Sequence, residues 1–174
     1  MLPEIFRGEI DRYHKRWLAE VTGIPGNGHI GIDLLDKSST EEDTTPKFGI
    51  EIKARNKLYA KHWAVNNEQV EQYPKDYPQR ELFWAFTLYR LTKSVTEIKM
   101  DEDLEQLITE REIWFLPWDW IRTFPISTPK TGPYRYAAKP KFPLQNTFTT
   151  FQEKNGTLYI PIGSTLEKKL EIPF

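Results

Sequence analysis

The sequence contains no cysteine, only three histidines and two methionines, and no long run of apolar residues. The lack of cysteine excludes disulfides and thiolate metal ligands, and with so few histidines a structural zinc site is not expected either. No stretch approaches the roughly 20 apolar residues of a membrane-spanning helix, and the N-terminus lacks an apolar signal core. We therefore expect a cytoplasmic protein that does not associate with membranes.

Net charge is almost absent as well, because 24 basic and 25 acidic residues sum to −1. If the chain binds nucleic acid, local clusters must supply the positive field. Acids concentrate between Glu97 and Glu112, and none occurs from Trp120 to Gln152. A nucleic-acid clamp and a proline-rich loop anchored by its aromatic residues both explain that acid-free segment. Its basic residues are Arg122, Lys130, Arg135, Lys139 and Lys141.

The 174 residues, of which 39% are hydrophobic and 14% aromatic, suffice for one domain whose core contains many large rings. We predict a single domain over residues 1–174. Residues 1–91 are expected to carry the functional core of this domain, and residues 92–174 to complete it.

The spacing of apolar residues predicts a mixed α/β domain. Helices are expected over Pro3–Val21, over Asn66–Tyr73 with Pro74 as its end, and over Val95–Thr109. Strands are expected over His29–Asp36, Lys47–Arg55, Glu81–Leu91 and Glu112–Leu116. The remaining segments are expected to be a helical turn at Trp118–Phe124, a long loop or irregular hairpin at Pro125–Pro143 and a hairpin at Thr147–Ile162 with its turn at Asn155-Gly156.

The stretch from Gly31 to Lys53 places Asp33 in the first predicted strand and Glu51 and Lys53 in the second. Side chains alternate between the two faces of a strand, and the apolar residues have the other parity in both strands. The three charged groups can therefore converge. Cross-strand ion pairs on an exposed hairpin face explain the same pattern.

Two carboxylates beside a lysine suit the hydrolysis of a phosphodiester bond. Mg²⁺ takes oxygen ligands and keeps several waters, so Asp33, Glu51 and the backbone carbonyl of Ile52 provide a sufficient ligand set. An ammonium at Lys53 can orient or deprotonate the attacking water, or stabilise charge on the phosphate.

The tripeptide acid-any-Lys is weak evidence alone, because it occurs at Glu51–Lys53, Glu97–Lys99 and Glu167–Lys169. Only the first copy lies in an alternating strand pattern with an Asp-bearing strand upstream. Downstream of it, Gln69 and Tyr73 form the one Gln-xxx-Tyr of the chain, and their spacing places both on one face of the predicted helix.

The residues Ile32-Asp33 and Glu51-Ile52-Lys53 and their setting resemble the PD-(D/E)XK nuclease superfamily, over about Pro3 to Leu91. Gln69 and Tyr73 are similar to the QxxxY motif of its RecB-like exonuclease branch. The resemblance implies a restriction-endonuclease-like mixed sheet flanked by helices, here with a C-terminal β-hairpin extension. It also implies hydrolysis of DNA with Mg²⁺ or Mn²⁺, which Asp33, Glu51 and Ile52 would bind while Lys53 assists the water.

Ile32 replaces the proline of the motif, which ligates nothing. The first helix resembles that of Holliday-junction resolvases, which implies Glu9 as a further catalytic acid, with Glu4 and Asp11 competing for the role. RecB-like relatives use an upstream histidine instead. The candidates for that role are His14 and His29.

The resemblance further implies that Gln69 and Tyr73 contact the nucleic acid. The basic residues that follow the catalytic strand are Arg55, Lys57, Lys61 and His62. Contacts to the phosphate backbone, with Trp63 available for stacking, and a solvated basic connection explain them equally well.

Two other classes of protein stay open. One is a non-catalytic nucleic-acid-binding or assembly module that retains the nuclease fold, and the other is a protein-interaction domain that uses the aromatic-rich second half. Within the nucleases, QxxxY favours an exonuclease and the first helix favours a resolvase-like endonuclease. Cutting of two strands would favour a homodimer.

Overall fold

The computed structural model describes residues 4–28, 31–37, 46–56, 62–99, 102–127, 133–138, 148–153 and 156–161. These residues form a mixed α/β fold, as the hydrophobic spacing predicts. Two 3₁₀ helices lie at Val95–Glu97 and Trp118–Thr123. The helices and strands are, in chain order, α1 (Glu4–Thr22), β1 (Leu34–Leu35), β2 (Phe48–Asn56), β3 (His62–Asn66), α2 (Asn67–Asp76), β4 (Glu81–Leu91), α3 (Leu104–Leu107), β5 (Ile108–Pro117), β6 (Ile126–Ser127), β7 (Tyr134–Ala138), β8 (Phe148–Glu153) and β9 (Gly156–Pro161).

The main sheet has the strand order β1-β2-β4-β5-β9-β8 and is mixed. Strands β2 and β4 are parallel, β4 and β5 antiparallel, and β5 and β9 parallel. The antiparallel pair β8–β9 is the predicted C-terminal hairpin, and its predicted turn residue Asn155 lies outside the described residues. Because β9 pairs with β5, this hairpin continues the main sheet. A second, antiparallel sheet has the order β3-β7-β6.

Strand β4 lies at the centre of the main sheet, and residues 82–89 are buried without interruption. Such a continuous apolar run is typical of a strand covered on both faces. Helix α1 covers one face, where Leu18 packs on Phe83. Helix α2 and the second sheet cover the other, where Val70 and Trp63 pack on Trp84. The exposed hairpin face considered above is wrong, because Glu51 is buried and Asp33 and Lys53 are only partly exposed.

Helix α1 confirms the predicted first helix. Among its described side chains, those at Ile10, His14, Leu18 and Thr22, spaced by four, are buried, whereas Tyr13 and Trp17 are only partly buried. A histidine therefore occupies the central position of the helix face that packs on the sheet.

Helix α2 starts as predicted but does not end at Pro74. The Asn66 side chain caps it by accepting from the amide of Glu68 at 2.8 Å. Pro74 lacks the amide that would donate to the Val70 carbonyl. That carbonyl accepts instead from Trp118 Nε1 at 3.0 Å, so the helix continues to Asp76.

The first predicted strand is much shorter than expected. Gly31 has a φ of +82° and residues 31–33 bend, so only Leu34–Leu35 pair with β2. As a result Ile32 and Leu34 pack in different core clusters on opposite faces of the sheet. Asp33 stands in the bend that precedes the strand, and His29 and Ile30 lie outside the described residues.

The predicted helix over Val95–Thr109 is wrong. Among its described residues only Leu104–Leu107 form an α-helix, which Asp103 caps. Ile108 already belongs to β5 and pairs with Leu91 on β4. Pairing with the buried central strand prevails over the local helical spacing.

Strand β3 was not predicted, because its residues follow the basic stretch and read as a connection. It pairs with β7, which lies within the predicted long loop or irregular hairpin. Trp63 on β3 is 1% exposed, so the expectation that it is available for stacking is wrong. In the acid-free segment Arg135 is also buried and donates to Asn67 Oδ1 and to the carbonyls of Arg122 and Phe124. Lys130, Lys139 and Lys141 lie outside the described residues.

Among the described helices, none combines the length and the apolar character needed to cross a membrane.

Candidate active site

A pocket of about 540 Å³ opens beside β2 at the point where β1 ends. The register Leu34–Ile50 and Leu35–Gly49 is the whole of the β1–β2 pairing. In the described part of the chain, no strand pairs with this edge of β2 beyond Ile50. Helix α1 and the bend that contains Asp33 form the other walls. The lining residues are Asp11, Arg12, Lys15, Gly28, Gly31, Asp33, Glu51, Ile52, Lys53, Ala54, Arg55, Trp63 and Ala64.

Asp33 and Glu51 are linked through backbone amides. The Asp33 amide donates to Glu51 Oε2 at 3.2 Å, and the Ile52 amide donates to Asp33 Oδ2 at 2.9 Å. Each acid is therefore held in place by the backbone that carries the other. In an extended strand the amide and carbonyl of one residue point to the same edge, so the Ile52 carbonyl is directed to the side of Asp33.

Glu51 is 5% exposed, and its environment disfavours its charged form. Burial raises the pKa of Glu51 to about 7, the negative charge of Asp33 adds to the rise, and the ammonium of Lys53 opposes it. The Lys53 ammonium thus does not offset the burial of Glu51 and the charge of Asp33. A divalent cation would supply further positive charge.

Lys53 connects the acid pair to helix α2. Its Nζ lies 3.3 Å from Glu51 Oε1 and donates to Gln69 Oε1 at 3.4 Å, and Gln69 Nε2 donates to Tyr73 Oη at 3.4 Å. Burial, followed by the charges of Glu51 and Asp33, raises the pKa of Tyr73 to about 12. The Tyr73 hydroxyl therefore keeps its proton at neutral pH. The spacing of four between Gln69 and Tyr73 places both side chains on one face of α2, as predicted, but neither is among the residues that line the pocket.

Lys15 is a residue of the pocket that the sequence analysis missed. Its Nζ donates to the Gly28 carbonyl at 2.9 Å and lies 3.8 Å from Asp33 Oδ1. The available signal was the spacing of four between Asp11 and Lys15, both of which line the pocket. We considered the acids of this helix and not its lysine.

The other predicted residues are placed as follows. Glu9 pairs with Arg12 on an exposed part of α1 and does not line the pocket, whereas its competitor Asp11 does. Arg55 is exposed and lines the pocket. His14 lies on the buried face of α1, and its Nδ1 is 3.0 Å from the Ile10 carbonyl oxygen. Lys57, Lys61 and His29 lie outside the described residues, as do the side chains of Glu4 and His62.

The acid pair fits a hard divalent cation, although it forms a sparse ligand set. In the described residues no group of three or more His, Asp or Glu side chains is arranged to hold a metal ion. Mg²⁺ needs only one or two carboxylates because it retains waters. The oxygens that could serve as ligands here are those of Asp33, Glu51 and the Ile52 carbonyl.

Comparisons with family models, with curated proteins and with solved structures find no match to this chain.

Proposed function

We propose that this chain is a nuclease that hydrolyses phosphodiester bonds in DNA with Mg²⁺ or Mn²⁺. The observation that carries the proposal is the Asp33–Glu51 pair, held by backbone amides on the wall of an open pocket, with the Lys53 ammonium 3.3 Å from Glu51 Oε1. A buried glutamate beside a second carboxylate is costly for a fold. Such an arrangement is typical of a site that binds a cation.

In this proposal Asp33, Glu51 and the Ile52 carbonyl hold the metal. The bound ion would polarise the phosphate and lower the pKa of its water. Lys53 orients that water or stabilises charge on the phosphate oxygens. Gln69 limits the directions open to the Lys53 ammonium, and Tyr73 in turn orients Gln69 and remains neutral. Asp11, the acid of α1 that lines the pocket, takes the role of further catalytic acid that we expected for Glu9.

Cleavage assays with purified protein test the proposal. We would incubate linear, circular, single-stranded and branched DNA with Mg²⁺, with Mn²⁺ and with EDTA. Wild type is expected to cleave with either metal and not with EDTA. Asp33→Asn and Glu51→Gln should abolish cleavage while leaving the circular dichroism spectrum unchanged.

Glu97→Gln is the matched control, because it removes the acid of the second acid-any-Lys copy. Glu97 is exposed and belongs to a 3₁₀ helix outside the pocket, so this variant should cleave like wild type. Full cleavage by Glu51→Gln would overturn the proposal. Cleavage of circular DNA would identify an endonuclease, and cleavage restricted to linear DNA an exonuclease.

The same assay separates the two rival classes. Binding of DNA without hydrolysis under every condition would indicate a non-catalytic module. Three aromatic residues of the second half are not available for the protein-interaction class. Trp114, Trp118 and Phe124 are buried in the core.

A further inference from the structure

The pocket carries one more basic than acidic side chain, although the chain as a whole has a net charge of −1. Arg12 and Lys15 line the pocket from the helix, and Lys53 and Arg55 line it from β2. With Asp11, Asp33 and Glu51, the pocket has four basic and three acidic side chains. A divalent cation at the acid pair would make its charge strongly positive. Such a pocket suits an anionic ligand with more than one charged group.

Lys15 is fixed by the backbone and directed into the pocket. Its Nζ donates one proton to the Gly28 carbonyl at 2.9 Å, and Gly28 has a φ of +76°, a conformation that residues other than glycine rarely adopt. The distance of 3.8 Å from Lys15 Nζ to Asp33 Oδ1 is longer than a hydrogen bond. An ammonium has three donors, so Lys15 retains donor capacity for a ligand.

The two lysines lie beside different acids of the pair. Lys53 Nζ lies 3.3 Å from Glu51 Oε1, whereas Lys15 Nζ lies 3.8 Å from Asp33 Oδ1. A phosphate that reacts beside Lys53 therefore leaves the Lys15 ammonium, at the other carboxylate, for another group. A nucleic-acid strand, which repeats its phosphate at every nucleotide, can present a second phosphate to Lys15 at the same time.

We infer that Lys15, with Arg12 beside it, binds the phosphate next to the one that is cleaved. Lys15 is then a substrate-positioning residue, and the α1 wall is a phosphate subsite. The inference rests on the proposed function for the identity of the reacting phosphate. The binding of a strand phosphate by Lys15 does not depend on hydrolysis and can be measured without metal.

The experiment is a titration of fluorescently labelled single-stranded DNA in EDTA at a series of KCl concentrations. Each lost phosphate contact reduces the slope of log K against log [KCl] by about 0.7 for a single strand. Lys15→Gln is expected to show this reduction, and Lys15→Arg to restore the wild-type slope. The matched control is Arg16→Gln, because Arg16 is the next residue of α1, is exposed and does not line the pocket. Its slope should equal that of wild type.

A purely structural role of Lys15 makes a different prediction. If Lys15 only holds Asp33, Lys15→Gln weakens Mn²⁺ binding in calorimetry and leaves the salt slope unchanged, and this result would overturn the inference. Absence of any DNA binding by wild type would overturn it as well.

The inference and the proposed function can fail separately. Cleavage by wild type with equal slopes for wild type and Lys15→Gln rejects the subsite and keeps the nuclease. A reduced slope for Lys15→Gln in a protein that never cleaves supports the subsite and rejects the nuclease.

Discussion

The backbone amide of Asp33 donates to Glu51 Oε2 at 3.2 Å, across 18 residues of sequence. This contact forms because the chain bends at residues 31–33, where Gly31 has a positive φ, and the bend turns Asp33 toward β2. The contact brings a second negative charge to a glutamate that is already buried. The free energy of folding should therefore depend on the protonation of Glu51.

Replacing Glu51 by Gln should stabilise the metal-free protein at alkaline pH. The pKa of Glu51 is about 7 in the fold against an ordinary value of 4.5. Between these values the folded state holds a proton that the unfolded chain has released, so stability falls as pH rises through this window. In EDTA at pH 8, the melting temperature of Glu51→Gln should exceed that of wild type by roughly 5 °C. Near pH 4 the difference should vanish. A difference that is the same at both pH values would contradict this origin.

His14 should lower the stability of the fold as pH falls, whereas Glu51 lowers it as pH rises. Burial lowers the pKa of His14 from 6.5 to about 4, and the charge of Arg111 contributes to the shift. Between those values the unfolded chain binds a proton that the fold excludes, so stability falls as pH drops from 6.5 to 4. His14→Leu removes this dependence. Between pH 7 and pH 4.5, wild type should lose about 2 kcal/mol relative to the variant, measured by urea denaturation. Parallel losses in both proteins would refute the assignment.

Lys53→Gln should separate catalysis from metal binding. Lys53 contacts Glu51 and Gln69 but is not among the oxygen ligands. Loss of its charge should reduce the cleavage rate by about 10²-fold or more. Calorimetric Mn²⁺ affinity should be unchanged or higher, because one competing positive charge is gone. Weaker Mn²⁺ binding with an unchanged rate would assign Lys53 a structural role.

Trp118 and Pro74 should be energetically coupled through the Val70 carbonyl. Trp118→Phe removes the nearer of the two side-chain donors to this acceptor, the other being Arg122 at 3.4 Å, and should destabilise the fold by about 1 kcal/mol. Pro74→Ala restores an amide that can donate to the same carbonyl within the helix. The double variant should therefore recover part of the loss in a denaturation cycle. Strictly additive effects would show that the two residues act independently.

Several features of the site follow from short-range patterns. Strand parity places Glu51 and Lys53 on one face of β2, and a spacing of four places Gln69 and Tyr73 on one face of α2. The sequence left the cap of α2 open between Asn66 and Asn67, whose side chains can both accept from an early helix amide, and Asn66 is the cap. Each of these predictions depends on the geometry of a single element, and the structure confirms the placements.

Other features depend on contacts that the local sequence does not encode. The Asp33 bend depends on Gly31 packing against Tyr77, and Trp63 is buried because β3 pairs with the distant β7. Ile108 leaves its helical pattern to pair with Leu91 on β4. Lys15 reaches Asp33 only because the chain folds α1 against the bend. In each case a long-range partner decides the local conformation.

The central claim is that Asp33 and Glu51 together hold a divalent metal, and calorimetric titration with Mn²⁺ at pH 8 tests it most directly. Wild type and Glu97→Gln should both give a saturable heat of binding, and Asp33→Asn should give none while remaining folded. Absence of binding by wild type, or binding of equal affinity by Asp33→Asn, would contradict the claim.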